Sequence, residues 1–137
     1  MAEMLVTVAQ VDGTMTSEGT AREHRVLIDR PTDKGGRDRG PMGGELLLLA
    51  LGGCFMSNLI AAAAARGVSV DGLTVDVRAT LASAPPRFDA IGLEVHGKTA
   101  DDATLDKLVA IAERACIVHN TLAGGVPLTV RRAGRGR

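Results

Sequence analysis

Aromatic residues are almost missing from this 137-residue chain: it has no Trp and no Tyr, and Phe55 and Phe88 are its only two. Its core must therefore be built from Leu, Val, Ile, Met and many alanines, and a partner subunit would help such a core bury more aliphatic area. An excess of charge of either sign is missing too, with sixteen Lys and Arg against sixteen Asp and Glu. That balance argues against a phosphate-neutralising groove, because nucleic-acid binders concentrate positive charge. The basic run RRAGRGR at the end has no aromatic interleaved and reads as a solvated terminus. Two cysteines do not make a secreted disulfide scaffold. Met1 to Gln10 shows neither a basic cluster nor a long apolar stretch, so no secretory signal is expected there, and the expected compartment is the cytoplasm. Dinucleotide-binding glycine patterns, a P-loop and a Ser nucleophile elbow do not occur.

What the chain does have is aliphatic bulk. Hydrophobic residues make up 45% and charged ones 23%, proportions of a folded domain rather than a disordered segment, and the length suits one domain over residues 1–137. Leu46 to Ala65 is interrupted only by Ser57 and Asn58 and has about the length of a membrane span. The Gly52-Gly53 pair, the alanine-rich end and the strand-like flanks favour a buried central helix instead, with no membrane partner.

The patterning predicts strands over Met4–Val11, closed by an Asp12-Gly13 turn, and within Arg22–Asp29, where Val26 and Ile28 share a face. Arg30 to Gly44, rich in Pro, Gly and charge, reads as a loop. A helix starting near Pro41, with Glu45 in its first turn, should run to about Arg66 and stop at Gly67. It is apolar nearly all round, so protein should surround it. Leu73, Val75, Val77 and Ala79 alternate along a strand that Pro85-Pro86 breaks, and Phe88–Gly97 forms the next. Asp101-Asp102 opens a second helix carrying Leu105, Leu108, Ala112 and Ala115 at helical spacing. Pro127–Arg131 closes the chain as a short strand. The order β, β, α, β, β, α, β implies an α+β fold with antiparallel sheet.

Chemistry falls on the two cysteines. Cys54 lies mid-helix after Gly52 and Gly53, each costing about 1 kcal/mol there relative to Ala. That cost implies a close approach by another backbone or by a small substrate. Cys116 sits at or beyond the last turn of the second helix. The pair can be two unrelated core thiols, a structural disulfide, or a peroxidatic and resolving pair. In the third case the dipole at that helix's C-terminus disfavours a thiolate at Cys116 and suits it to resolving. Cys54 lies too far inside its own helix for dipole help and would need a cation, for which arginine is the natural choice. His119 makes a CxxH with Cys116, but no further ligands fall at zinc spacing, so no metal is expected.

The run GPMGGELLLLALGGC ending at Cys54, together with ERACIVHNTL around Cys116, resembles the OsmC/Ohr family, and the resemblance spans nearly the whole chain. It implies an intertwined homodimer with central helices inside antiparallel sheets, and a thiol-dependent peroxidase that reduces organic hydroperoxides, in some members hydrogen peroxide. Cys54 would be the peroxidatic cysteine, oxidised to a sulfenate, and Cys116 the resolving one. Glu45 matches the family's glutamate, and Arg22, with Arg37 and Arg39 as rivals, its arginine. An external dithiol would regenerate the thiols, and no cofactor is required. Three details depart from the familiar pattern. Glu45 precedes Cys54 by nine positions rather than ten, Ile117 follows Cys116 where proline is common, and aromatic lining is nearly absent. Nine helical residues span about 13 Å, so any contact of Glu45 with the site should come from the other subunit. The rival expectation is a non-enzymatic protein of this fold that binds a small apolar ligand or senses redox state.

Overall fold

The computed structural model describes residues 2–134, so the last three residues of the basic terminal run lie outside it. The fold is mixed α and β with antiparallel sheets and three α-helices, as the sequence implies. The chain divides into two compact units, Met1–Leu49 and Ala50–Arg137.

The first unit is a three-stranded antiparallel sheet of β1 (Thr7–Gln10), β2 (Ser17–Ala21) and β3 (His24–Ile28), in that order. The Asp12-Gly13 turn joins the first two, with Gly13 at φ +76°. β2 is an addition to the expected elements, and the strand placed in Arg22–Asp29 begins two residues later, because Arg22 and Glu23 form the hairpin turn. Arg22 takes a left-handed backbone there, at φ +56°.

The long loop after β3 is organised by Asp29, which is 3% exposed. One carboxylate oxygen accepts the Arg30 N–H at 2.7 Å; the other accepts the buried Thr16 hydroxyl at 2.8 Å and the N–H groups of Arg39 and Arg37 at 3.2 and 3.4 Å. Burial raises the Asp29 pKa, yet these donors outweigh it and hold the carboxyl below its ordinary range. The chain turns so tightly around this node that a side chain at Gly36 would strike the Arg30 carbonyl.

Helix α1 (Gly43–Ala65) starts two residues after the expected Pro41. The Leu46 N–H reaches the Met42 carbonyl at 2.9 Å, and the Glu45 carboxylate accepts the Met42 N–H at 2.8 Å, half of a capping box. At the other end Gly67 has φ +64°, and the N–H groups of Gly67 and Val68 return to the carbonyls of Ala64 and Ala63, the pattern of a Schellman cap.

In the second unit Leu51, Phe55, Leu59, Ala62 and Ala63 of α1 pack with Leu108 and Ala112 of α2 (Asp102–Ala115). Each large side chain buried in this way contributes about 1.5–3 kcal/mol. The hairpin of β4 (Asp71–Ser83) and β5 (Pro86–Lys98) supplies Leu73, Val75, Val77, Ile91, Leu93 and Val95 to the same core. An irregularity between Thr80 and Leu81 changes the alternation, leaving Leu81 exposed and Ala82 half-buried. Asp101 caps α2 as expected, accepting the Thr104 N–H at 2.7 Å.

Three expectations need correction. Protein does not surround α1 within the chain: Leu49 and Ile60 are 62% and 53% exposed, although the helix is long and apolar enough to cross a membrane. Pro127–Arg131 is not a strand; none of the described residues pairs with it, and Val130 is 96% exposed. A further helix that was not expected, α3 (Ile117–Gly124), follows α2 directly.

Candidate active site

Cys116 occupies the single extended residue between α2 and α3, at φ −75° and ψ 111°. It ends one helix and caps the next, its sulfur accepting the His119 N–H at 3.4 Å. Ser, Thr, Asp and Asn are the usual caps, so a cysteine there gives little sign of a helix start, which is why α3 was missed. The remaining signals of α3 are the apolar pair Ile117 and Val118 and the terminal Gly124-Gly125, with Gly125 at φ +71°.

The half-buried Cys54 thiol lies at the N-terminus of α3, where free N–H groups gather. The Val118 N–H is the main influence on its acidity, ahead of the opposing effect of burial; the Cys116 thiol and the Ile117 N–H add to it. Together they hold the Cys54 thiol below its ordinary range. Cys116 is fully buried, and its thiol is pushed up, first by burial and further by Cys54, although the His119 and Val118 N–H groups work the other way. The two sulfurs, 62 positions apart in sequence, are thus brought together with unequal acidities.

Helix dipole help therefore reaches Cys54 from α3 rather than from α1, and neutral backbone donors favour its thiolate. Asn58, one turn further along α1, was not singled out by its sequence context. Its amide nitrogen donates to the Cys54 carbonyl at 2.9 Å and stands 3.8 Å from the Cys54 sulfur. Of the glycine pair before Cys54, Gly52 is explained by a strand: a side chain there would meet Val77 at 3.0 Å. Gly53 faces open space.

The other residues read from the sequence have their own local surroundings. Glu45 is exposed and occupied by its own helix cap, and α1 runs unbroken between Glu45 and Cys54. Arg22, at the β2–β3 turn, and Arg37 and Arg39, in the Asp29 loop, are exposed residues of the first unit. The His119 imidazole turns from Cys116 to Glu113, 3.4 Å away. Asp76, Glu94 and His96 meet on the exposed face of the β4–β5 hairpin, the imidazole lying 3.1 and 3.2 Å from the two carboxylates. Two cavities of about 300 and 250 Å³ lie beside His119; Phe88 and Leu51 line the first, Phe55 and Val109 the second. Both aromatics of the chain are thus used here.

Comparison with known proteins gives a consistent picture. The family described as "OsmC-like protein" matches residues 35–131. No curated protein matches significantly. Among solved structures, the OsmC-like protein of Mycoplasma pneumoniae superposes with a TM-score of 0.75 at 18% identity, covering 90% of this chain and 89% of its own. An osmotic stress induced and detoxification response protein of Psychrobacter arcticus gives 0.74 at 17% identity, with 88% and 89% covered. An organic hydroperoxide resistance protein of Legionella pneumophila gives 0.63 at 18% identity, with 90% and 91% covered.

Proposed function

The chain belongs to the OsmC-like family, and on that premise we propose that it is a thiol-dependent peroxidase acting on organic hydroperoxides, with Cys54 as nucleophile and Cys116 as resolving thiol. One observation carries the reading: Cys54 sits at the N–H groups of α3 beside a second thiol, with its own acidity raised and its neighbour's lowered. A thiolate is the nucleophilic form of cysteine, and this arrangement supports placing it at Cys54. The hydroperoxide resistance protein of Legionella, similar in fold, supports the choice of substrate.

The Cys54 thiolate attacks the terminal oxygen of the hydroperoxide. A sulfur–oxygen bond forms as the oxygen–oxygen bond breaks, and the alkoxide leaves with the electron pair and takes a proton from water. Cys116 then attacks the sulfenic sulfur; a disulfide forms, and the sulfenic hydroxyl leaves as water with the Cys116 proton. An external dithiol restores both thiols by exchange, in the reducing cytoplasm expected for the chain. The high pKa of Cys116 suits this order, since it keeps the second thiol protonated until the sulfenate exists.

The working form is a homodimer. Val8 and Val26 on the sheet of the first unit are 58% and 43% exposed, and Leu49 and Ile60 of α1 are also uncovered. Apolar area of this kind is covered by a second copy. The activating arginine, among Arg22, Arg37 and Arg39, and Glu45 would reach Cys54 across that dimer. Replacing Cys54 with Ser should abolish hydroperoxide turnover, while Cys116→Ser should still form a sulfenate that dimedone traps. Turnover retained by Cys54→Ser would remove the proposal.

A further inference from the structure

We infer that Asn58 is a catalytic residue of this site, donating a side-chain N–H to the Cys54 sulfur and then to the oxygen that sulfur acquires; the inference rests on the peroxidase reading. Within Leu46–Ala65 the only polar side chains are Ser57 and Asn58. Ser57 is exposed and its hydroxyl donates to the Gly53 carbonyl at 3.0 Å, an ordinary bond back along the helix. Asn58 is half-buried on the side of Cys54, in a helix position where asparagine is a poor choice by propensity.

Its bonding shows what an amide offers there. Nδ2 carries two hydrogens: it donates to the Cys54 carbonyl at 2.9 Å and also approaches Cys54 Sγ at 3.8 Å. A serine or threonine could make the first bond but has a single hydrogen to give. The second hydrogen is what reaches the sulfur, and contacts of this kind shorten as charge builds on the acceptor. Asn58 approaches from α1, whereas Ile117 and Val118 approach from α3. A sulfur gripped from two helices has a fixed direction of attack.

During oxygen transfer the hydrogen of the hydroperoxide stays on the oxygen that binds sulfur, giving Cys54–SOH, and the alkoxide is protonated by water. The Asn58 N–H, no longer facing a full negative charge, donates to the new sulfenic oxygen. That bond turns the sulfur's face toward Cys116, the attacking group in the next step.

The test is the pH dependence of Cys54 alkylation by iodoacetamide, resolved by mass spectrometry, which needs no peroxide. Asn58→Leu keeps the volume and removes the donor. It should move the alkylation midpoint upward and slow alkylation at neutral pH roughly three- to tenfold, the worth of one such hydrogen bond. Asn58→Ser, which keeps a donor for the Cys54 carbonyl but has no second hydrogen for the sulfur, should also move it upward and serves if the leucine variant does not fold. Dimedone trapping after cumene hydroperoxide should fall at least in proportion. An unchanged midpoint in either folded variant overturns the inference, since a merely structural asparagine would alter the melting temperature and not the titration. If the midpoint moves but wild-type Cys54 reacts with no hydroperoxide, the peroxidase reading fails while the donor to sulfur stands.

Discussion

Asp29 in the first unit and Cys116 in the second are buried to nearly the same degree, 3% and 0% exposed, yet their acidities move in opposite directions. Burial is the largest influence on both and disfavours the charged form of each. Asp29 overcomes it with a hydroxyl and three backbone N–H groups closing on two oxygens. Cys116 has two backbone donors and a neighbouring thiol that competes for negative charge. Donor number, rather than depth, decides whether a buried acid ionises. Cys54 follows the Asp29 pattern, its donors outweighing burial, whereas those of Cys116 do not.

The largest effect is expected at Asp29. Asp29→Ala leaves the Thr16 hydroxyl and the N–H groups of Arg30, Arg37 and Arg39 without their acceptor. Amide exchange at residues 30–39 should accelerate strongly, and urea should melt the first unit earlier. The pH dependence has a definite sign. A carboxyl held below its ordinary range contributes stability that is fully present above the ordinary carboxylate pKa and fades as pH falls through the lowered folded value. Asn at this position should remove that acid limb. Slow exchange retained in the alanine variant would show that the loop holds without its carboxylate.

Of the two environments, the sequence revealed the apolar framework and concealed the donors. The alternation Leu73, Val75, Val77 and the stop at Gly67 are local signals, and the hairpin and the end of α1 follow them. Ser17–Ala21 carries no large apolar residue, so β2 had nothing to mark it, and its turn uses Arg22 where glycine or asparagine would advertise a positive φ. Pro127–Arg131 shows the converse: a strand-like period says nothing about whether a partner strand exists. Both cysteines were identifiable as residues of interest. What acts on Cys54 was not, because a helix capped by cysteine has no usual start signal and because Asn58 matters only through a neighbour one turn away. Asp29 was read as one end of a strand; its four donors come from positions 16, 30, 37 and 39, which only the folded loop brings together.

A smaller effect is expected at Cys116. Cys116→Ala removes both the thiol that donates to Cys54 and the cap that accepts the His119 N–H. The Cys54 alkylation midpoint should rise, and α3 should lose about 1 kcal/mol, a typical cost for an N-cap, seen as faster amide exchange over residues 117–124. A midpoint that falls instead would mean that the two thiols compete for charge more than one supports the other, and the parallel between Cys54 and Asp29 would break.

The smallest effect, and the sharpest test of the ranking among donors, is expected for Ile117→Pro. Ile117 is the first residue of α3, where proline's fixed φ suits the helix and a missing N–H breaks no helical bond. Its side chain is 68% exposed, so little packing is lost. The substitution therefore deletes one N–H and little else. That N–H is the weaker of the two α3 N–H groups that favour the Cys54 thiolate, and it ranks behind the Cys116 thiol as well. The alkylation midpoint of Cys54 should rise by less than in Cys116→Ala, with α3 intact by amide exchange. A rise equal to or larger than that of Cys116→Ala, in a protein whose α3 still protects its amides, would make the first N–H of the helix the principal donor and reverse the order.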